Sequence, residues 1–534
     1  ANMQNDVLDK RVNNSPTLNL TSIFIMLQWA AKNGFYLKSK DITAAYLNAK
    51  LGEEETTVYM WLNQDIVAAL LQVREDLDSF KHKGKILTRV KISLYGLVQS
   101  ARNWYNHIVD SLINQMKMQK CDWDPCLFRN ESGSVIVGVY VDDLLIMYKD
   151  TKSLKSFEDQ LDGIYPKTTT SEVDDFSFLQ MHIKKNAIGD ISVSQETMVD
   201  RMTTDYKLNP YIKSPYISQY IELEDDEVEL TDIEKSQLLS DTMKLMYVAQ
   251  RTRSDILFAT AQMTQVITQA NRKDQRKTQR IFEYLKVTKS YSKIFKKDVD
   301  MRIIVYSDAS MGNMRNKCRA QGSFDVFLDT YHNSASIWSE SKIQPAPTAS
   351  TFIAEANAAY EASSKIEYIG GILIFIGGTI SEIPILHQDN QATMLLFKNI
   401  NQACKGKARY VDRKIMVMAE LQEKGTMMAQ YCKSADMISD VHTKELPWQK
   451  FVPLSRITMG MTHEHIVKGF NEGSVVISTP EIKNGSLNPV LEIWTDVTDG
   501  PEEIVATALD GKTEHENSEF NVAISKMKIN DSTR

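Results

Sequence analysis

Cysteine is scarce: five in 534 residues (Cys121, Cys126, Cys318, Cys404 and Cys432), an odd number at scattered spacings. That excludes a disulfide framework and the paired CxxC elements of a structural zinc site, and reduced, buried thiols are the expected state. Long apolar runs are missing too. The longest, residues 369–380, holds four glycines and is far shorter than the roughly 20 residues of a membrane helix, so no membrane partner is expected. The first residues, ANMQNDVLDKR, lack the basic-then-apolar order of a secretory leader, and an intracellular location is expected. Positive charge is not in surplus either: the net charge is −7. A protein that neutralises nucleic-acid phosphates usually carries an excess of Lys and Arg, so any such role here must rest on local clusters.

What is present is a folding composition, 43% apolar with 25% charged residues, in a chain too long for one core; about three or four units are expected. Residues 18–31 read as a buried helix starting near Thr21 or Ser22, and residues 35–41 as a strand with a tight turn. Residues 134–148, SVIVGVYVDDLLIMY, are two β-rich runs parted by Asp142 and Asp143, which is a hairpin signal. Polar residues 165–175 and acidic residues 222–229 read as linkers. Helical periodicity returns over 238–286. From about residue 296 strands (302–306, 323–328, 335–338), a helix (350–366) and a strand (382–387) alternate in α/β order. Beyond residue 455 the chain reads as a polar tail.

Two adjacent acids between apolar strands repel each other and lose hydration, so a divalent cation is their natural counter-ion. Asp41 ends another apolar strand about a hundred residues earlier. Nucleotidyl transfer needs carboxylates from separate strands to hold two metal ions roughly 3.5 to 4 Å apart, and Asp41, Asp142 and Asp143 suit that task. A second set has the same character. Asp308 follows RIIVY, Glu355 lies in STFIAEANAAYEA, Asp389 ends IPILHQD and Asp440 opens SDVHTKELP. Each acid alone is most often a cap or a surface charge; their joint order carries the weight.

The blocks KDITAAYLNAKL, SLYGLVQSARNWY, DPCLF and YVDDLLIMY, then YSDAS, IWSESKIQP, QDNQA, ARYVDRKIMVMAELQEKG and SDVHTK, resemble copia-type LTR-retrotransposon Pol polyproteins in order and spacing across about residues 15–455. The resemblance implies an α/β and α+β multidomain chain: reverse transcriptase fingers and palm (1–165), a thumb and connection-like region (166–295), a ribonuclease H-like mixed α/β domain (296–455) and a tail of unknown role (456–534). It implies RNA-directed DNA polymerase and ribonuclease H activities with two Mg²⁺ or Mn²⁺ ions per site, held by Asp41, Asp142 and Asp143 in the first and by Asp308, Glu355, Asp389 and Asp440 in the second. Tyr46, Gly96, Gln99 and Arg102 are the implied nucleotide contacts. Tyr140, Arg251, Arg253, Lys405, Lys407 and Arg409 are the implied nucleic-acid contacts.

The implied partners are an RNA template, a DNA primer, the RNA–DNA hybrid and deoxynucleotides, with protease, integrase and capsid as products of the same polyprotein. The implied location is a cytoplasmic virus-like particle or the nucleus. The sequence departs from the family pattern at Val98, Ala101, Gln180 and Ile353, and the basic fingers strand expected upstream of Ser15 has no counterpart in the chain. Two other readings stay open on these residues: an inactive relic or co-opted fragment that binds nucleic acid, and a nuclease alone.

Overall fold

The computed structural model describes residues 15–51, 58–217, 227–311, 319–345, 347–348, 350–398 and 409–461, together with two short strands further on. Residues 1–462 group as one compact unit. The unit from His463 onward is described by the antiparallel pair Ile493–Thr495 and Ile504–Ala506. Among the described residues no helix is long and apolar enough to cross a membrane.

The first sheet has six strands in the order Gln119–Lys120, Leu127–Arg129, Val135–Tyr140, Asp143–Tyr148, Tyr36–Ile42, Thr168–Thr170. Its middle strands are apolar and buried at nearly every position, so both faces of the sheet are covered; the helix Thr151–Ile164 packs on these strands, and their apolar core also takes in the helix Leu20–Asn33. The helix Leu20–Asn33 starts at Asn19, whose side chain accepts from the Thr21 amide, and ends on left-handed Gly34; the cap lies two residues before the expected Thr21. Residues 165–175, read as a linker, instead supply the edge strand Thr168–Thr170, which pairs with Lys40–Ile42. Three β-branched threonines suit an edge whose outer face meets water, and hydropathy does not register such a strand.

A second sheet runs Lys293–Phe295, Ile191–Ser194, Met181–Lys185, Asp175–Phe178. Its last two strands are joined through Leu179 and Gln180, both left-handed at φ +50° and +62°. A two-residue turn of this kind favours glycine at its second position, and Gln180 stands there under steric strain. Gln180→Gly is expected to stabilise the chain by about 1 kcal/mol. A thermal unfolding midpoint that stays level or falls would rule that out.

The third sheet is mixed: Trp338–Ile343, Gln321–Phe327 and Ile304–Ser310 are antiparallel, and Ile385–Gln388 and Met428–Tyr431 continue in parallel. The expected strand at 335–338 is shifted. Residues 335–337 are a buried connection, and the strand runs Trp338–Ile343. The helix Thr351–Phe375, which runs nine residues past its expected end, lies across this sheet on a run of alanines that lets it approach closely. Its far end meets the first sheet. A Cβ at Gly371 would lie 2.0 Å from the Trp123 indole, the Arg129 guanidinium donates to the Phe375 carbonyl at 2.9 Å, and Ser22 and Tyr368 share a hydrogen bond of 3.1 Å. One apolar core therefore continues across residues 165 and 295.

Cys121 and Cys126 are buried free thiols, as expected, and burial pushes the Cys126 thiol up to about 12. Cys318 and Cys404 lie outside the described residues.

Candidate active sites

Asp41 and Asp143 are directly opposed on neighbouring antiparallel strands, so their side chains share a face of the sheet. Asp142 sits in the two-residue turn between Tyr140 and Asp143, where Val141 is left-handed at φ +57°. That is a costly conformation for a β-branched residue, and it is held from two directions. The buried Trp104 indole donates to the Val141 carbonyl at 2.6 Å, and the Ile42 amide donates to the Asp142 carbonyl at 3.0 Å. Burial, then the Asp142 and Asp41 charges, lift the Asp143 carboxyl to about 6; burial and Asp142 also raise Asp41, against a hydrogen bond from Thr169. Among the described residues these carboxylates have no ion-pair partner, and they are the donor set a divalent cation satisfies.

Tyr46 borders this acid group. Its hydroxyl is raised by burial and then by Asp142, and its ring packs on Tyr95 with centroids 4.7 Å apart. Gly96, one residue on, has φ +98° with nothing within 4 Å of where a Cβ would be, so its role in the turn is conformational rather than one of close approach. Gln99 is 5% exposed at the start of the helix Ser100–Asp110, and its Oε1 has no hydrogen-bond partner among the described residues. Arg102 is half-buried in the first turn of the same helix, and Tyr140 is half-buried at the end of its strand.

The second set converges more tightly. Ligand atoms of Asp308, Glu355 and Asp389 lie within 4.8 Å of one another, the one such group of three or more His, Cys, Asp or Glu side chains among the described residues. Three elements supply them: the strand Ile304–Ser310, the helix Thr351–Phe375 and the end of the strand Ile385–Gln388. Burial, then the charges of Asp308 and Asp389, push Glu355 to about 9; burial raises Asp308 to about 6 against the pull of Lys444. Gln388 donates to Glu355 at 3.3 Å, and Ser434 donates to Asp389 at 2.7 Å. Three crowded acids, two of them almost fully buried, fit a hard divalent cation.

Residues 3–214 match the family model described as reverse transcriptase (RNA-dependent DNA polymerase). Over 460 residues the chain is 24% identical to the Transposon Ty1-NL2 Gag-Pol polyprotein of Saccharomyces cerevisiae, which takes in 82% of this chain and 24% of that polyprotein. Over 449 residues it is 24% identical to the Retrovirus-related Pol polyprotein from transposon TNT 1-94 of Nicotiana tabacum, with 82% of this chain and 32% of the tobacco protein covered. The chain is similar to copia-type LTR-retrotransposon Pol polyproteins. It spans about a quarter to a third of the length of these relatives.

Asp440 stands apart from the other three acids. It is 2% exposed, and its carboxylate is held by Lys444 and, at 2.5 Å, by Lys450. Lys444 also reaches Asp308 at 3.3 Å, so it links the fourth acid to the cluster as a shared counter-ion, and the Thr443 hydroxyl donates to Asp308. Reading by acids alone missed Thr443, Lys444 and Lys450. The signal was within SDVHTKELP, where a hydroxyl and a cation follow Asp440 by three and four residues.

The cations named as nucleic-acid contacts fare differently. Arg253 is 1% exposed and locked into the core: it pairs with Asp255 at 2.7 Å, donates to the Thr288 carbonyl at 2.9 Å, and lies by the rings of Tyr284 and Tyr291. It cannot touch a phosphate, which corrects the expectation. The residue type alone does not distinguish a surface Arg from one half of a buried ion pair. Arg253→Met should cost about 3 kcal/mol, because Asp255 would stay buried without its partner. Chemical denaturation reads this directly, and a loss below about 1 kcal/mol would count against it.

Arg251 is half-buried with its guanidinium 3.6 Å from the Tyr247 ring centroid. Of the cations that follow, Arg272, Lys277 and Arg280 are paired with Glu234, Glu445 and Glu283. Lys405 and Lys407 lie outside the described residues, and Arg409 begins the helix Arg409–Glu423 with its side chain undescribed.

Proposed function

We propose that this chain copies RNA into DNA at the Asp41, Asp142 and Asp143 site and cleaves the RNA of the resulting hybrid at the Asp308, Glu355 and Asp389 site. The observation that carries the reading is the pair of separate carboxylate groups, each assembled from remote elements, with burial and neighbouring acids raising Asp41 and Asp143 in the first and Asp308 and Glu355 in the second. Mg²⁺ or Mn²⁺, two ions per site, would supply the Lewis acid that activates the attacking oxygen and steadies the leaving one. Asp41 and Asp142 would bind both ions of the first site, with Asp143 in support and Tyr46 crowding the sugar 2′-position of the incoming nucleotide. In the second site Asp308, Glu355 and Asp389 would be direct ligands. Asp440 would join them by exchanging Lys444 for the cation, since it lies beyond the close group while sharing that lysine with Asp308.

The substrates are an RNA template with a DNA primer, deoxynucleotides and the RNA–DNA hybrid. The setting is that of a Gag-Pol polyprotein, with protease, integrase and capsid as sister products, in a cytoplasmic particle or the nucleus. Residues 1–165 and 296–455 form the two catalytic divisions in this reading, and 166–295 the thumb and connection. Extension of a primed RNA template and cleavage of a labelled hybrid, each with and without Mg²⁺, test it. A chain that does neither, while binding both substrates, would be a nucleic-acid-binding relic.

A further inference from the structure

The stretch that leaves the first site and returns to it carries a surface that neither carboxylate group uses. Strands Tyr59–Leu62 and Ile86–Arg89 form an antiparallel ribbon, with the helix Gln64–Val73 in the connection between them. Ile86, at 4% exposure, turns inward, and Val67 of the helix is buried as well. Tyr59 and Trp61 occupy alternate positions of one strand, opposite Arg89 and Leu87, and therefore share a face. Tyr59 is 60% exposed and Trp61 52%, an amount of aromatic surface that a folded chain leaves in water at a cost unless something covers it.

Charge selects what covers it. Between Ser79 and Ser93 stand Lys81, Lys83, Lys85, Arg89 and Lys91 with no acid, a local +5 in a chain of net −7. Lys81 is held by Asp78; the other four are exposed and make no ion pair among the described residues. Alternate side chains on a strand are roughly 6.6 Å apart, which an extended single strand can match base by base and a stacked duplex at about 3.4 Å per step cannot. The ribbon is also continuous with the first site. The Leu51 amide donates to the Lys91 carbonyl at 3.1 Å and the Ser93 amide to the Ala49 carbonyl at 2.8 Å, and the returning chain runs straight into Tyr95, whose ring packs against Tyr46.

We propose that the Tyr59 and Trp61 face of this ribbon is a stacking platform for single-stranded nucleic acid, used by the unpaired template strand ahead of the polymerase site. The template assignment rests on the polymerase reading; the binding of a single strand does not.

The test is fluorescence anisotropy with the full chain and labelled primer–template duplexes, blunt or with a short 5′ template overhang. It is done without deoxynucleotides or divalent ions, across about 50 to 200 mM salt. The overhang should tighten binding. Trp61→Ala and Tyr59→Ala should each weaken the overhang complex on the order of tenfold and leave the blunt duplex unchanged, while Trp61→Phe retains the gain. Lys83→Gln with Lys85→Gln should reduce the salt slope by about 0.7 per cation removed.

Equal overhang affinity in the chain carrying both alanines would overturn the platform. So would a finding that those alanines instead turn a self-associating chain into a monomer, because the face would then be a contact between copies. Asp142→Asn should keep the overhang preference, so an inactive polymerase site would remove only the template assignment and leave the platform standing.

Discussion

Asp142→Asn is expected to lower primer extension by about a thousandfold, roughly 4 kcal/mol of transition-state stabilisation, and to leave hybrid cleavage within a small factor of the parent. The reason is its position. Asp142 sits in the turn beside the opposed pair Asp41 and Asp143, and its charge raises both of them. Removing it takes away a ligand and at the same time relieves repulsion, so Asp41 and Asp143 should move back toward the ordinary carboxylate range. Thermal stability without metal should therefore hold or rise while synthesis is lost. A variant that extends primers within about tenfold of the parent would remove Asp142 from the reaction.

The second large effect concerns the buried trio. Asp389→Asn should abolish hybrid cleavage and spare extension, the mirror image of the first result. Glu355→Gln should do the same while stabilising the metal-free chain at neutral pH by on the order of 2 kcal/mol, because it removes the cost of keeping protonated a carboxyl that burial and two neighbouring acids prevent from ionising.

The pH dependence has a definite sign. Glu355 holds its proton in the folded chain up to about 9 and Asp308 up to about 6, whereas unfolded carboxyls release theirs near 4. Between about pH 4 and pH 9 the folded state thus binds more protons, and this group's contribution to stability is fully present at low pH and is lost as pH rises through that window. Added Mg²⁺ or Mn²⁺ should offset the loss, so the metal-induced rise in melting temperature should be larger at pH 8 than at pH 5 and should shrink in Glu355→Gln to the part contributed by the Asp41, Asp142 and Asp143 site. A rise that is equal at both pH values, or that is undiminished in the variant, would show that cations do not bind at the buried trio.

Much of the fold was legible because its signals are local. Two apolar β runs around Asp142 and Asp143 specify a hairpin through alternation and turn chemistry, and the observed strands Val135–Tyr140 and Asp143–Tyr148 follow that pattern. What was misread had no local signature. The edge strand Thr168–Thr170 is polar because one side meets water, yet it is the element that puts Thr169 against Asp41. The family departure at Gln180 was visible as a letter, whereas the strain it carries became apparent only from the backbone of its turn.

By itself the sequence determined which residues are acids, cations and apolar faces, and in what order, because hydropathy period and turn preference act over a few residues. Tertiary structure alone decided which of those groups meet. It closed Asp308, Glu355 and Asp389 into one group, left Asp440 bound to Lys444 and Lys450, sank Arg253 into the core beside Asp255, and turned Tyr59 and Trp61 outward. The physical reason is that burial and electrostatic coupling depend on distance in space, which is set by strand register and by how helices cross sheets, and residues far apart in the chain carry no local trace of either.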